Sequence, residues 1–382
     1  MKTIQNIIRS ATFEGMADAH GVPKPEYREL YENLAKNGVR QIITGVIYIS
    51  RQGRAMHPGQ AGMDEADKIE AYKNTTTAVH ANGAKIYAQL GHAGRATANT
   101  GQRIVGASEL KSPYFGNLGQ IPKALGTQDV HEIVEQFAKS TYWAMKAGFD
   151  GVQLHAAHGY LFHQFMLKPI NNRTDEFSDP TLFLELTVKK VREKCGDFPI
   201  WVKVSGESDH RYDGKQDFPG LIKTLDRMKV DLIEVSYGTI DRALDTMRGD
   251  VPIEVILKHN PVYSKKGGFW RLFALPFAAR QFKKFSPMYN MEYARIAKRY
   301  THIPIAVVGG FRTAHEIFDC EMDYVSLCRP LICEPDFVKK IEHDNTYVSK
   351  CKNCNICTTM VDSTKSLRCY GGGSEWNKES LR

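Results

Sequence analysis

Short apolar runs alternate with amphipathic stretches along nearly the whole chain. Short runs rich in apolar residues are typical of strands in a buried parallel sheet. They occur at residues 6–11, 41–47, 85–90, 151–154, 200–204, 232–235, 305–308 and 324–327. Apolar residues at helical spacing follow the runs and predict helices from Pro25 to about Gly38, at about 67–82, 130–147, 180–194, 219–228, 289–300 and 313–318, and from Pro335 onward.

Eight strand–helix units in about 340 residues predict an α/β protein with a (β/α)8 TIM barrel. A doubly wound sheet is the alternative, and it is less favoured because no G-x-G-x-x-G motif follows the first strand. We expect the barrel over residues 1–345 and a cysteine-rich extension over 346–382. In such a barrel, catalytic residues lie just after the carboxyl ends of the strands.

The composition is that of an ordinary globular protein, with 42% hydrophobic and 25% charged residues, which excludes a disordered or collagen-like chain. The net charge of +8 is unevenly placed, because seven basic residues and no acidic residue lie between Val255 and Met291. A charge excess confined to one segment does not indicate a nucleic-acid-binding protein. The chain also lacks an apolar run of about 18 residues and a signal-peptide pattern, so we expect a cytoplasmic protein without stable membrane anchoring.

Four of the eight cysteines crowd together near the end of the chain as Cys351-x2-Cys354-x2-Cys357-x11-Cys369. Four thiolates at this spacing can enclose a [4Fe–4S] cluster or a zinc ion. The absence of histidine from the set favours iron–sulfur, with zinc and reduced thiols as the alternatives. The remaining cysteines are scattered, and we expect them to be small buried hydrophobic residues: Cys195, Cys320, Cys328 and Cys333.

Two histidines and a tyrosine follow the fourth predicted strand, as His155, His158 and Tyr160. Two imidazole N–H groups directed at one carbonyl oxygen would stabilise an enolate, and a phenol beside them could transfer a proton. A zinc-binding pair and two structural histidines are the alternatives.

Glycines and a basic residue follow the last two predicted strands, as Gly309-Gly310 and Cys328-Arg329. Barrels bind phosphate groups at these two loops, where glycine lets the backbone approach closely and arginine supplies a bidentate cation. We expect the backbone of Cys328, rather than its thiol, to contribute. A simple turn is the alternative for Gly309-Gly310.

The chain resembles the Old Yellow Enzyme family of flavin oxidoreductases over about residues 1–340. The resemblance is carried by the segment from His155 to Tyr160 and by the run QFMLKPINNRTDEF that starts at Gln164. It implies an FMN-binding (β/α)8 barrel. It further implies that His155 and His158 hydrogen-bond the carbonyl oxygen of an activated alkene and that Tyr160 donates the proton.

The same resemblance implies the flavin contacts. Gln89 matches a glutamine that bonds the edge of the isoalloxazine ring, and Lys203 stands where many members have an arginine near the flavin N1 and O2 atoms. The loops that would lie against the flavin contain Ser10, Ala11, Thr12 and Gly45.

Relatives of the 2,4-dienoyl-CoA reductase and trimethylamine dehydrogenase type carry a [4Fe–4S] cluster at the place of the four cysteines and continue into a domain for FAD and a nicotinamide. This sequence ends at Arg382. We therefore expect a cluster that is structural or that receives electrons from an external donor, unless NAD(P)H reduces the FMN directly.

The sequence thus predicts an FMN-dependent ene-reductase that uses NAD(P)H to reduce an α,β-unsaturated carbonyl compound. The alternatives are an amine dehydrogenase or demethylase and an electron-relay subunit of a larger complex. A basic, aromatic insertion at about 240–288 predicts a lid for a large apolar or anionic substrate, or else a packed surface unit or oligomer contact.

Overall fold

Eight parallel strands form a closed barrel in the computed structural model, which describes residues 3–55, 59–97, 101, 103–111, 120–207, 215–260, 263–265, 268, 272–273, 275–280 and 282–371. Each strand pairs with its neighbours in chain order, and the first pairs with the eighth, with Ile7 opposite Val325. The strands are β1 Ile7–Arg9, β2 Gln41–Ile43, β3 Lys85–Gly91, β4 Gly151–Ala156, β5 Ile200–Ser205, β6 Leu232–Ser236, β7 Ile305–Val308 and β8 Tyr324–Leu327. The predicted (β/α)8 barrel is confirmed.

One outer helix follows each strand: α1 Pro25–Lys36, α2 Ile69–His80, α3 Thr127–Lys146, α4 Leu182–Cys195, α5 Phe218–Arg227, α6 Met291–Lys298, α7 Ala314–Phe318 and α8 Phe337–His343. Shorter elements lie in the loops. They are the helices Leu161–Met166, Ala243–Met247, Ile253–His259, Leu275–Ala279, Arg329–Cys333 and Ile356–Asp362, the strands Ile47–Tyr48, Val105–Gly106 and Lys123–Ala124, and the 3-10 turns Ile4–Asn6, Arg51–Gly53, Ala66–Lys68, Gly94–Ala96, Glu176–Ser178 and Ile240–Arg242.

The alternation of side chains along each strand decides what fills the barrel. Residues two apart on a strand point the same way. The amino ends of the strands contribute an apolar plug to the interior, formed by Ile8, Ile43, Tyr87, Trp201, Leu232 and Ala306. Two residues further along four strands, this register places Ser10, Gln89, Lys203 and Glu234 above the plug. The opposite strand faces pack against the helices in one large apolar core.

Two predicted strands are shorter than their apolar runs. The first run loses its start to the 3-10 turn Ile4–Asn6, and the second is interrupted after Ile43. The interruption has a local cause, because the backbone N–H of Gly45 donates to Glu14 Oε1 at 2.6 Å instead of to a neighbouring strand. Apolar periodicity does not record such a hydrogen bond.

The cysteine-rich extension packs against the mouth of the barrel. The backbone N–H of Leu367 donates to Glu14 O at 2.8 Å, and the N–H of Asp250 donates to Asn353 O at 3.0 Å. Helix Ile356–Asp362 packs on helix Ile253–His259 of the insertion. The extension therefore helps to enclose the carboxyl ends of the strands, and the boundary at residue 345 stays a prediction.

No helix within the described parts of the chain has both the length and the apolar character that crossing a membrane requires.

Candidate functional site

A cavity of about 250 Å³ opens at the carboxyl ends of the barrel strands. Twelve of the thirteen residues predicted to bind cofactor or act in catalysis line it: Ser10, Ala11, Thr12, Gln89, His155, His158, Tyr160, Lys203, Gly309, Gly310, Cys328 and Arg329. Gly45 does not line it. A side chain at Gly45 would collide with Glu14 and Thr12, so this glycine serves the close packing of two loops.

Five buried polar side chains form a connected polar layer on the floor of this cavity: Ser10, Gln89, Gln153, Lys203 and Glu234. Lys203 Nζ lies 3.2 Å from Glu234 Oε2 and donates to Ser10 Oγ at 2.9 Å. Gln89 Nε2 donates to Gln153 Oε1 at 2.7 Å, and Gln153 Nε2 donates to Glu234 Oε2 at 2.9 Å. The network satisfies polar groups that would otherwise be costly to bury.

Glu234 and Gln153 were not among the predicted site residues. Each stands inside an otherwise apolar strand, and the register places each beside a predicted residue: Glu234 opposite Lys203 and Gln153 opposite Gln89. A carboxylate within a strand that is buried on both faces is a signal that sequence reasoning can use, because such a charge requires a buried partner.

His155, His158 and Tyr160 converge above the polar layer. The ring centroid of His155 lies 5.1 Å from that of His158 and 4.7 Å from that of Tyr160. His158 adopts a positive φ of 59° and its Nε2 lies 2.8 Å from Ser236 Oγ. Nδ1 of His155 is buried and has no hydrogen-bond partner among the described residues. That atom is available to a bound ligand.

Burial decides the charge of these three side chains. It lowers the pKa of His155 and of His158 well below the ordinary value, and the Lys203 cation lowers both further. Both imidazoles are therefore neutral at neutral pH, so each ring offers one N–H donor and one acceptor. Burial also raises the pKa of Tyr160 well above its usual range, with Asp362 adding to the effect. The phenol thus keeps its proton.

The loops after β7 and β8 also line the cavity, and the loop after β7 packs closely against residues 286–290. Gly309 and Gly310 have φ values of 125° and 87°, and a side chain on Gly310 would lie 2.6 Å from Ser286 O. Arg329 lines the cavity and donates to Asn355 Oδ1 at 2.8 Å. Arg312, which was not among the predicted site residues, also lines it, and its buried Nε has no hydrogen-bond partner within the described part of the chain.

The four cysteines of the extension line a second, small cavity together with Arg329, which borders both cavities. Cys333, expected to be a small buried hydrophobic residue, also lines this cavity. A hydrogen bond with Cys369 raises the pKa of the Cys333 thiol. A set of thiols alone suits iron–sulfur or zinc. Among the described residues, however, no three His, Cys, Asp or Glu side chains have the arrangement of a metal site. The assignment of Cys351, Cys354, Cys357 and Cys369 as metal ligands stays a prediction.

The walls near Tyr160 come from the insertion and the extension. Apolar side chains from both segments line the cavity there: Ile240, Ala243, Met247, Val361 and Leu367. Asp362 is the single carboxylate among the described lining residues, and burial raises its pKa to about 7. The aromatic residues Phe269 and Trp270 of the insertion, and His210, Arg211 and Tyr212 after β5, lie outside the described residues.

A family model described as "NADH:flavin oxidoreductase / NADH oxidase family" matches residues 1–264. The chain belongs to the NADH:flavin oxidoreductase family. Membership confirms the resemblance stated above, and the description of the family agrees with the predicted class of flavin oxidoreductase.

Curated relatives are similar over part or most of their length. The chain is 28% identical over 376 residues to a cinnamate reductase of Clostridium sporogenes, which covers 93% of this chain and 53% of that protein. It is 33% identical to an NADPH dehydrogenase of Bacillus velezensis, over 58% of this chain and 66% of the relative. It is 25% identical to a 4,4'-dithiodibutanoate disulfide reductase of Rhodococcus erythropolis, over 94% of this chain and 90% of the relative. The chain thus spans about half to two thirds of the first two relatives.

Solved structures agree on the fold. The Old Yellow Enzyme homologue from Zymomonas mobilis has a TM-score of 0.70 at 23% identity and covers 90% of both chains. A 2-naphthoyl-CoA reductase complex has a TM-score of 0.75 at 18% identity and covers 96% of this chain and 54% of its own. At these identities the similarity shows the barrel fold alone.

The residues present fit an FMN. The guanidinium groups of Arg329 and Arg312 suit a phosphate group, since Nε of Arg312 has no hydrogen-bond partner among the described residues. Gln89 and Lys203 offer polar atoms on the cavity floor. Arg329 and the two glycines would hold the phosphate, and the polar layer would hold the ring.

Replacement of Arg329 by glutamine should weaken FMN binding about ten- to hundredfold. A charge-assisted hydrogen bond contributes about 1.5–3 kcal/mol, and each 1.4 kcal/mol is about tenfold in affinity. Titration of apoprotein with FMN, followed by flavin fluorescence, measures the change. Arg227→Gln is the control, because Arg227 is exposed and pairs with Glu185 away from the cavity. An unchanged Kd in a folded Arg329→Gln protein would contradict the phosphate assignment.

The raised pKa of Asp362 predicts a pH-dependent stability. The folded state favours the protonated acid, so the stabilisation is complete below the unfolded pKa near 3.8 and is lost as the pH rises through about 7. The melting temperature of Asp362→Asn should therefore fall less than that of the wild type between about pH 5 and pH 8. Asp344→Asn is the control, because the pKa of Asp344 is lowered and this group stays ionised in that range. Parallel curves for wild type and Asp362→Asn would refute the expectation.

Proposed function

We propose that this protein is an FMN-dependent ene-reductase that uses NAD(P)H to reduce the activated C=C bond of an α,β-unsaturated carbonyl compound. The observation that carries the proposal is the buried Nδ1 of His155, which has no hydrogen-bond partner in the described part of the chain. His155 lies beside His158 and Tyr160 in the cavity that the predicted flavin-binding residues line. A bound FMN would supply hydride transfer from NAD(P)H to the β-carbon of the alkene.

The neutral histidine pair suits the carbonyl end of such a substrate. A hydrogen bond from Ser236 Oγ to Nε2 of His158 would leave its proton on Nδ1. With the proton of His155 also on Nδ1, two N–H donors are available to one oxygen. These donors polarise the alkene and stabilise the negative charge that develops on the oxygen.

Tyr160 suits the proton transfer to the α-carbon. Its phenol stays protonated because burial raises its pKa, and it packs against His155 at the edge of the same cavity. The ring is held in place by Ala55, Ala93 and Ala96, which pack around it. A carbanion-like α-carbon is basic enough to take this proton, so the phenol need not be acidic in the resting protein.

The substrate is proposed to be a small enone-type molecule with a substantial apolar or anionic part. The apolar walls from the insertion and the extension support this, and the name of the similar cinnamate reductase is consistent with an aromatic enoate. The cytoplasmic location, the oligomeric state and an external electron donor stay predictions.

We further propose that Cys351, Cys354, Cys357 and Cys369 hold a [4Fe–4S] cluster, with zinc as the alternative. Their gathering around one small cavity, with Arg329 on its border, supports the proposal. Burial raises the pKa of the Cys351 and Cys357 thiols, and so does the proximity of the other sulfurs. A bound cation would compensate thiolates at this place.

Tyr160→Phe tests the ene-reductase proposal. Loss of the proton donor should slow alkene reduction about 10²- to 10⁴-fold, whereas reduction of the flavin by NAD(P)H should continue at the wild-type rate. Stopped-flow spectroscopy of the two half-reactions with a simple enone separates them. Tyr72→Phe is the control, since Tyr72 is equally buried and hydrogen-bonds Gly62 O away from the cavity. A parallel loss of both half-reactions would exclude the role of Tyr160.

The cluster proposal predicts about four iron and four sulfide per chain after anaerobic purification. Cys354→Ser should lose most of both. Cys195→Ser should keep them, because Cys195 ends α4, and neither cavity includes it. Metal and sulfide analysis of the three proteins gives the answer. One zinc per chain without sulfide would replace the iron–sulfur proposal by its alternative.

A further inference from the structure

Glu234 is completely buried in β6, and it is the acceptor at the centre of the polar layer. Its Oε1 accepts from Ser10 Oγ at 2.7 Å, and its Oε2 accepts from Gln153 Nε2 at 2.9 Å and faces Lys203 Nζ at 3.2 Å. Burial alone raises the pKa of Glu234, but Lys203 and these hydrogen bonds outweigh it and bring the pKa below its ordinary value. The carboxylate is therefore ionised.

The ionised carboxylate offsets the charge of Lys203. Lys203 lines the cavity, whereas Glu234 lies behind it and contributes nothing to the lining. A ligand on the cavity floor thus meets a lysine whose charge is paired from the rear. In a buried pair at about 3 Å the two charges largely cancel at longer distance, because each screens the field of the other.

The same carboxylate also orients Gln89. A carboxylate only accepts hydrogen bonds, so the amide of Gln153 must direct its NH₂ group toward Glu234 and its oxygen toward Gln89. Gln89 Nε2 then donates to Gln153 Oε1 at 2.7 Å, which leaves Gln89 Oε1 and one N–H for the cavity. One acid therefore determines both the charge and the hydrogen-bond polarity of the cavity floor.

We propose that Glu234 is a positioning residue that lowers the reduction potential of the bound flavin by compensating Lys203 and by fixing the orientation of Gln89. A flavin gains negative charge when it takes up two electrons, and an uncompensated lysine would favour that state. The inference rests on the proposed FMN site and is independent of the substrate.

The variant Glu234→Gln tests the proposed effect of Glu234 on the reduction potential of the flavin. The midpoint potential of the bound FMN, measured against a reference dye without turnover, should become more positive, because Lys203 keeps its full charge. Asp64→Asn is the matched control: it breaks another buried carboxylate–lysine pair, with Lys68, and neither residue lines the cavity. Its potential should equal that of the wild type. An unchanged potential in folded, FMN-loaded Glu234→Gln would overturn the proposal.

If Glu234→Gln folds poorly, variants of Lys203 test the same proposal. Lys203→Met should make the potential more negative, and Lys203→Met with Glu234→Gln should return it toward the wild-type value, since the pair and its neutral replacement carry the same net charge. A double variant no different from Lys203→Met would contradict a role of Glu234. These potentials are measured in the absence of alkene, so a failure of enone reduction would refute the proposed reaction and leave this test intact.

Discussion

The closed barrel places one strict condition on this sequence, because every second side chain of each strand points into an interior that water does not reach. An apolar plug satisfies the condition near the amino ends of the strands, where the ring centroids of Tyr87 and Trp201 lie 3.7 Å apart in a stacked pair. Polar residues enter only above the plug, and there they must satisfy one another. The Lys203–Glu234 pair and the hydrogen bond between Gln89 and Gln153 meet this requirement. The floor of the candidate site is therefore also the top of the core.

Much of this organisation could be predicted from the sequence, because apolar runs and their spacing are local properties. The order of strands and helices, the barrel, and the position of His155 and Tyr160 near the carboxyl end of β4 all follow from them. What could not be predicted depends on contacts across the chain. Gly45 lies against Glu14 rather than in the cavity. The role of Glu234 can be inferred only from the register, which places it opposite Lys203.

The family motif itself illustrates the difference between recognising a fold and recognising chemistry. Gln164 donates to the carbonyl oxygens of Ala93 and Gly159, and its Oε1 accepts from the N–H of Arg95. It thereby joins the loop after β3 to the loop that carries Tyr160. Gln164 therefore identifies the family through a structural role. The proposed chemistry rests on His155, His158 and Tyr160, which this scaffold holds in position.

One wall of the cavity comes from segments outside the barrel strands. The family model ends at residue 264, yet Val361, Asp362 and Leu367 of the extension line the cavity. Thr358 Oγ1 reaches Met247 Sδ at 3.2 Å, so extension and insertion meet directly above the barrel mouth. The polar layer lies at the carboxyl ends of the barrel strands, whereas these walls belong to the insertion after β6 and to the extension. In the proposed reaction the polar layer would contact the flavin, so these walls would determine which substrates the cavity accepts.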